Sequence, residues 1–148
     1  MPAEIDDTDG IDDILRGAAE RIGASTSCSV IMRQGGGYTR VASSDARSAA
    51  CDDAEVSEGR GPCVLAMDQL SGVIVPDITE EDRWAGWGAT AIEQGFRSAA
   101  ALPAYVSDDV VASINLYSDL RDPWDAEALV RADVEVQRVA AAVAARLH

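Results

Sequence analysis

The sequence predicts an α/β domain of the α+β kind: a central antiparallel sheet of five or six strands, with terminal helices on one face and pocket-forming helices and loops on the other. Apolar residues recur at helical spacing near both ends, at Ile11, Ile14, Leu15, Ala18, Ala19 and Ile22 and again at Leu129, Ala132, Val136, Val139 and Val143. Two pairs of strand-like runs are each joined by a turn signal, Gly35-Gly36-Gly37 in one and Ser107-Asp108-Asp109 in the other. Alternation along the last strand sends Ala112, Ile114 and Leu116 to one face, suited to the terminal helices, and Ser113, Asn115 and Tyr117 to the other.

Taken in order, residues 1–9 are polar and acidic and are expected to form a flexible N-terminus, with residues 10–148 as the folded domain. Asp9 is a plausible cap for the first helix, and Gly23 stops it. Thr26 to Arg33 and Tyr38 to Ser43 are expected strands. Residues 44–57 are small, acidic and weakly patterned, and are expected to form a loop with at most one short helix. In Glu58-Gly59-Arg60-Gly61-Pro62-Cys63 the glycines free the backbone, and Pro62 suits a first helical position, where its missing donor costs nothing. The apolar run Val64 to Met67 continues that helix, and Val73-Ile74-Val75 forms a buried strand ended by Pro76-Asp77. Glu80 to Gln94 follows as a helix weakened by Gly86 and Gly88 and stopped by Gly95. Ser98 to Val106 and Val110 to Tyr117 make a second hairpin. A final helix, capped by Asp122 or Asp125, runs to about Leu147.

That helix carries a second apolar stripe, Val130, Val134, Ala141 and Ala144, which burial against one sheet leaves uncovered. A homodimer pairing the first and last helices of two chains covers both stripes. Alanines tolerated at the surface of a monomer are the alternative.

A chain of 148 residues fits one domain, and folding at this size removes about 68–70% of the unfolded surface from water, enough for a self-sufficient core. Apolar runs fall short of a membrane span and the N-terminus is acidic, so a cytoplasmic location is expected. The net charge is −14 and no lysine is present, which disfavours direct nucleic-acid binding and removes Schiff-base and P-loop chemistry. Three cysteines at spacings unlike a zinc site are expected to be reduced, and the single histidine, His148, argues against haem ligation or a Ser-His-Asp triad. No cofactor or metal is expected.

The bare first turn at Gly61, Pro62 and Cys63, helped by Arg60, offers donors to a carboxylate or phosphate. Glycine needed only for a tight turn explains the same residues equally well. Asn115 and Tyr117 are expected to face a mostly apolar hollow walled by the Pro62 helix, Asp77, Trp84 and Trp87, the usual make-up of a small-molecule site. Core packing alone accounts for any single one of these aromatics. Arg83 and Arg97 are further anion partners or plain surface residues. A helix start and Arg60 would lower the Cys63 thiol pKa. The carboxylates Glu80-Glu81-Asp82 are expected at a helix start, and Asp52-Asp53 and Asp108-Asp109 as solvated loop residues.

This order of parts resembles the GAF domain family, in particular the GAF modules of actinobacterial regulators with an RNA-binding ANTAR output. The resemblance covers about Gly10 to Leu147 and rests on Gly-Arg-Gly-Pro-Cys at 59–63, Val75-Pro76-Asp77, Asp82-Arg83-Trp84, Gly95-Phe96-Arg97-Ser98 and Leu116-Tyr117-Ser118. It implies a GAF/PAS-like fold and a non-catalytic sensory module that binds a small, acidic metabolite and signals through dimerising terminal helices. An output-domain partner, the dimer itself or a longer parent chain would carry the signal onward. A ligand-free dimerisation module is the alternative. Less favoured is a thiol enzyme like the free methionine-R-sulfoxide reductases, because those place a catalytic cysteine after the next strand, whereas here none follows Cys63. The lysine of the cyclic-nucleotide signature is missing, and Val64 stands where bilin-binding relatives have histidine.

Overall fold

The computed structural model describes residues 4–148. The Asp7 carboxylate accepts from the Gly10 amide to start α1 (Thr8–Ile22), and Gly23, at φ 78°, ends it. The strands are β1 (Thr26–Gln34), β2 (Gly37–Ser43), β3 (Val73–Val75), β4 (Ser98–Ser107) and β5 (Val110–Ser118), in the spatial order β2-β1-β5-β4-β3. Every neighbouring pair is antiparallel, and Cys28, Leu116 and Ala100 lie side by side across β1, β5 and β4. The other helices are α2 (Ala46–Glu58), α3 (Pro62–Gln69), α4 (Ala85–Glu93) and α5 (Ala126–Arg146), with a 3-10 turn at Ile78–Glu80.

The expected α+β architecture is the observed one, with α1 and α5 packed together over one face of the sheet. Ile11, Leu15 and Ile22 of α1 meet Ala132, Val136, Val139 and Val143 of α5 above Cys28, Val30, Ile114 and Leu116. Apolar area removed from water at about 25 cal/mol per Å² makes this layer the main source of stability on that side. Arg21 fastens the two helices, donating from Nε to both oxygens of nearly buried Glu135 at 2.7 and 3.0 Å. The Asp125 side chain caps α5 through the Ala128 amide.

Two expectations change, at residues 44–57 and over Glu80 to Gln94. Glu4 and Asp6 pair through their backbones with His148 and Arg146, and Thr8 and Asp9 belong to α1. Residues 1–3 lie outside the described residues. The loop expected at 44–57 is mostly the 13-residue helix α2, capped by the Asp45 carboxylate on the Ser48 amide. The helix expected over Glu80 to Gln94 splits, because the Asp77 carboxylate holds the Thr79 amide in a 3-10 turn and the backbone extends at Glu81 before α4 begins. The second stripe of α5 stays at the surface of this chain, with Val130 66% and Val134 48% exposed.

Candidate functional site

The sheet's second face is covered by α2, α3 and α4, and its centre is polar. Ser48, Cys51, Asp52 and Glu55 recur three and four residues apart, so α2 turns one stripe toward β1 and β5, and all four are buried. Asp52 accepts from the Tyr117 hydroxyl at 2.9 Å and from Asn115 Nδ2 at 3.3 Å. The Ser29 hydroxyl lies beside it, close enough to influence its ionisation but without hydrogen-bond geometry. Ser113 donates to Asn115 Oδ1 at 2.6 Å, and this fixes the amide so that its NH2 faces Asp52. Tyr117 accepts from Trp87 Nε1 at 3.3 Å and stacks on Phe96 with ring centroids 5.0 Å apart.

One turn along α2, Glu55 Oε2 accepts from the Cys63 amide at 3.1 Å and from its thiol at 2.7 Å. The first turn of α3 is therefore not bare, contrary to the expectation from the sequence, because an internal carboxylate occupies it. Gly61 is required by the same contact: a Cβ there would lie 2.2 Å from Glu55 Oε2.

Burial pushes Asp52 up to about 7, against the lowering effect of its hydrogen bonds. Burial, and then the charge of Asp52, push Glu55 up to about 8. The Cys63 thiol is also driven upward, first by burial and then by Glu55 and Asp52, which overturns the expected lowering by the helix start and Arg60. Cys51 is pushed up to about 12 by burial, and all three cysteines are free thiols.

The residues expected to share one hollow are distributed among three places. Cys63, Trp87, Asn115 and Tyr117 sit together in the buried layer, none more than 2% exposed, with Asp52, Glu55 and Phe96 packed among them. Arg60, Gly61 and Trp84 line an outer groove of about 570 Å³ with Gly59, Val64, Leu65, Asp68 and Arg83, while Pro62 is buried at the root of α3. Asp77 lies in a separate groove of about 270 Å³ with Ile74, Val75, Pro76, Glu80 and Glu81. Arg83 borders both grooves, its guanidinium 4.2 Å above the Trp84 ring and its Nε donating to Glu81 at 2.8 Å. Trp84 meets Trp87 edge to face at 6.2 Å and so joins the groove wall to the buried layer. Arg97 lies near Asp77, outside the larger groove.

Asp52 and Glu55 were missed by the sequence reasoning, which placed both in a loop. The signal available was the polar stripe Ser48, Cys51, Asp52 and Glu55 at helical spacing, which an apolar template cannot detect.

No match was found among curated proteins. A family model described as GAF domain matches residues 6–144. Among solved structures, the GAF domain region of a Geobacter sulfurreducens protein superposes with a TM-score of 0.70 at 12% identity, over 92% of this chain and 91% of that one. A GAF domain/HD domain protein from the same organism gives 0.65 at 13% identity, over 95% and 94%. The type II free methionine-R-sulfoxide reductase of Thermoplasma acidophilum gives 0.59 at 13% identity, over 89% and 93%. At such identities these likenesses establish the fold alone. The family match over nearly the whole length adds to them, and the chain belongs to the GAF domain family, whose members are typically sensory or regulatory modules.

Proposed function

We propose that this chain is a non-catalytic sensory domain that binds a small organic anion in the outer groove and signals through its terminal helices as a homodimer. The observation that carries the reading is the groove itself, which sets two arginines beside the apolar side chains of Val64, Leu65 and Trp84. Arg60 is exposed and makes no ion pair among the described residues, so its guanidinium is available to a carboxylate or phosphate. Arg83 is held flat on Trp84, and a ligand anion would compete with Glu81 for it. Gly61 brings backbone close to the groove floor. In this reading Asp77 serves the neighbouring groove, and Cys63, Trp87, Asn115 and Tyr117 support the site from behind.

The family includes thiol reductases, but a buried Cys63 held in its protonated form by Glu55 favours a role without catalysis. The order of motifs from Gly59 to Ser118 supports a place among GAF modules of actinobacterial GAF/ANTAR regulators, with an output-domain partner. A second reading, a ligand-free dimerisation module, is favoured by how completely side chains fill the space before Asn115 and Tyr117.

Calorimetric titration with benzoate and with inorganic phosphate, beside native mass spectrometry of the purified protein, separates the two. Arg60→Ala and Arg83→Ala are each expected to weaken anion binding about tenfold, or about 1.4 kcal/mol. Binding unchanged in both variants removes the groove from the reading, and no retained or added anion at all supports the ligand-free module. For the dimer, Val130→Asp combined with Val134→Asp places charges on the exposed stripe of α5 and is expected to halve the mass seen by sedimentation with the helical content intact. A wild-type monomer, or a dimer that survives both substitutions, removes that part of the proposal.

A further inference from the structure

Asp52 and Glu55 lie one turn apart on the inner face of α2, with 0% and 1% of their surface exposed. Every hydrogen bond they receive comes from a neutral donor: Tyr117 and Asn115 for Asp52, the Cys63 amide and thiol for Glu55. Among the described residues, the elements packed on α2 bring no free cation to face them. β2 offers Arg40, whose Nε is bound to Asp53 at 2.7 Å, and β1 offers Ser29 and, four residues along the same face, Arg33, which is bound to Asp68 and to the Met67 carbonyl. α4 offers Trp87, β5 offers Asn115 and Tyr117, and α3 offers Cys63. On α2 itself, Arg47 reaches outward to Asp119 and the Gln94 carbonyl, while Asp45, Cys51 and Glu58 add acid or neutral groups. Two carboxylates cannot both ionise cheaply in such a place, since neither has a cationic partner to offset the burial of its charge.

We propose that Asp52 and Glu55 form a proton-linked latch: while the pair retains a proton, α2 is clamped onto β5 and α3, and loss of that proton releases α2 together with the first turn of α3. The two groups titrate as a pair. The sign follows from their upward displacement, to about 7 and about 8 from ordinary values of 3.8 and 4.5. The folded chain holds more protons than the unfolded chain between those ranges, so the latch is complete only below the ordinary values, weakens above them and is lost as pH rises through the folded-state values. Release is local because α2 is held to the sheet mainly through this polar stripe, whereas α1 and α5 are held by apolar packing that does not titrate. Gly59, Arg60 and Gly61 join α2 to α3 and edge the groove, so release would also reshape it. That consequence rests on the proposed role of the groove, but the latch does not.

Hydrogen exchange of the full chain, followed by mass spectrometry at about pH 6 and about pH 9 and corrected for the intrinsic rate, tests the latch. Amides of α2 and the Cys63–Val64 turn are expected to lose protection at least about tenfold at the higher pH relative to α1 and α5. In Asp52→Asn, and in Glu55→Gln should the first variant not fold, the loss of α2 protection at the higher pH is expected to shrink, because only one buried carboxyl still titrates. Protection of α2 that follows α1 and α5 across the two conditions, or an unaltered pH response in either folded variant, overturns the proposal. Anion titration of Arg60→Ala at one fixed pH leaves the latch untouched, so failure of the groove and failure of the latch are read separately.

Discussion

Gly61→Ala is expected to destabilise the fold by about 3 kcal/mol, because the new methyl has no space that Glu55 can vacate. The Cβ would lie 2.2 Å from Oε2, 2.4 Å from Cδ and 2.5 Å from Cγ of Glu55, so three atoms of a buried side chain must move rather than one flexible tip. Moving them breaks the bond to the Cys63 amide and leaves a buried donor and a buried carboxyl without partners. Urea unfolding at neutral pH measures the loss. Glu55→Ala empties the same space, so Gly61→Ala placed on that background is expected to cost much less, and the double-mutant cycle isolates the contact. A Gly61→Ala cost that persists undiminished on the Glu55→Ala background would show that the glycine serves only the turn, whose φ of 156° disfavours a side chain, which is the simpler account of its place in the sequence.

The same contact shows where the sequence was legible and where it was not. Period and punctuation located α1, α5, both hairpins and the start at Pro62, because each is specified by local chemistry: apolar residues at i, i+3 and i+4, turn glycines, a proline at N1. The alternation in β5 also sorted Ile114 and Leu116 from Asn115 and Tyr117 onto the faces they occupy. α2 was not legible by the same rule, since its inward stripe is Ser48, Cys51, Asp52 and Glu55 and its burial depends on partners 8 to 65 residues away. Without α2 in view, the α3 amides looked open and the space before Tyr117 looked empty. Both conclusions failed for one reason, that a helix with a polar inner face fills the space an apolar helix or a ligand would have filled. The exposed stripe at Val130 and Val134, by contrast, was readable from spacing alone, because nothing within the chain reaches it.

Trp87→Ala is expected to have the largest effect of any single substitution on the α2–α4 side, about 4 kcal/mol by the usual range for truncating a fully buried tryptophan. The indole is wholly buried, meets Trp84 edge to face at 6.2 Å and Tyr117 at 6.3 Å, and donates to the Tyr117 hydroxyl. Its removal leaves a cavity among side chains that are themselves pinned: Tyr117 by Asp52 and Phe96, and Trp84 by Arg83 above it. Little collapse is therefore available to recover the lost contacts. Trp84→Ala takes away a ring of the same size from the groove wall, where solvent can enter the space, and is expected to cost less than half as much. Chemical denaturation of the two variants under one condition ranks them, and equal costs would show that Trp84 and Trp87 are core residues of one kind. Trp87→Phe keeps most of the volume but not the N–H donor, so it is expected to recover more than half of the loss while leaving Tyr117 to bond Asp52 alone. If Trp87→Phe were as damaging as Trp87→Ala, the N–H···O bond would outweigh packing in this layer, contrary to the net worth of about 1 kcal/mol that a neutral hydrogen bond usually contributes.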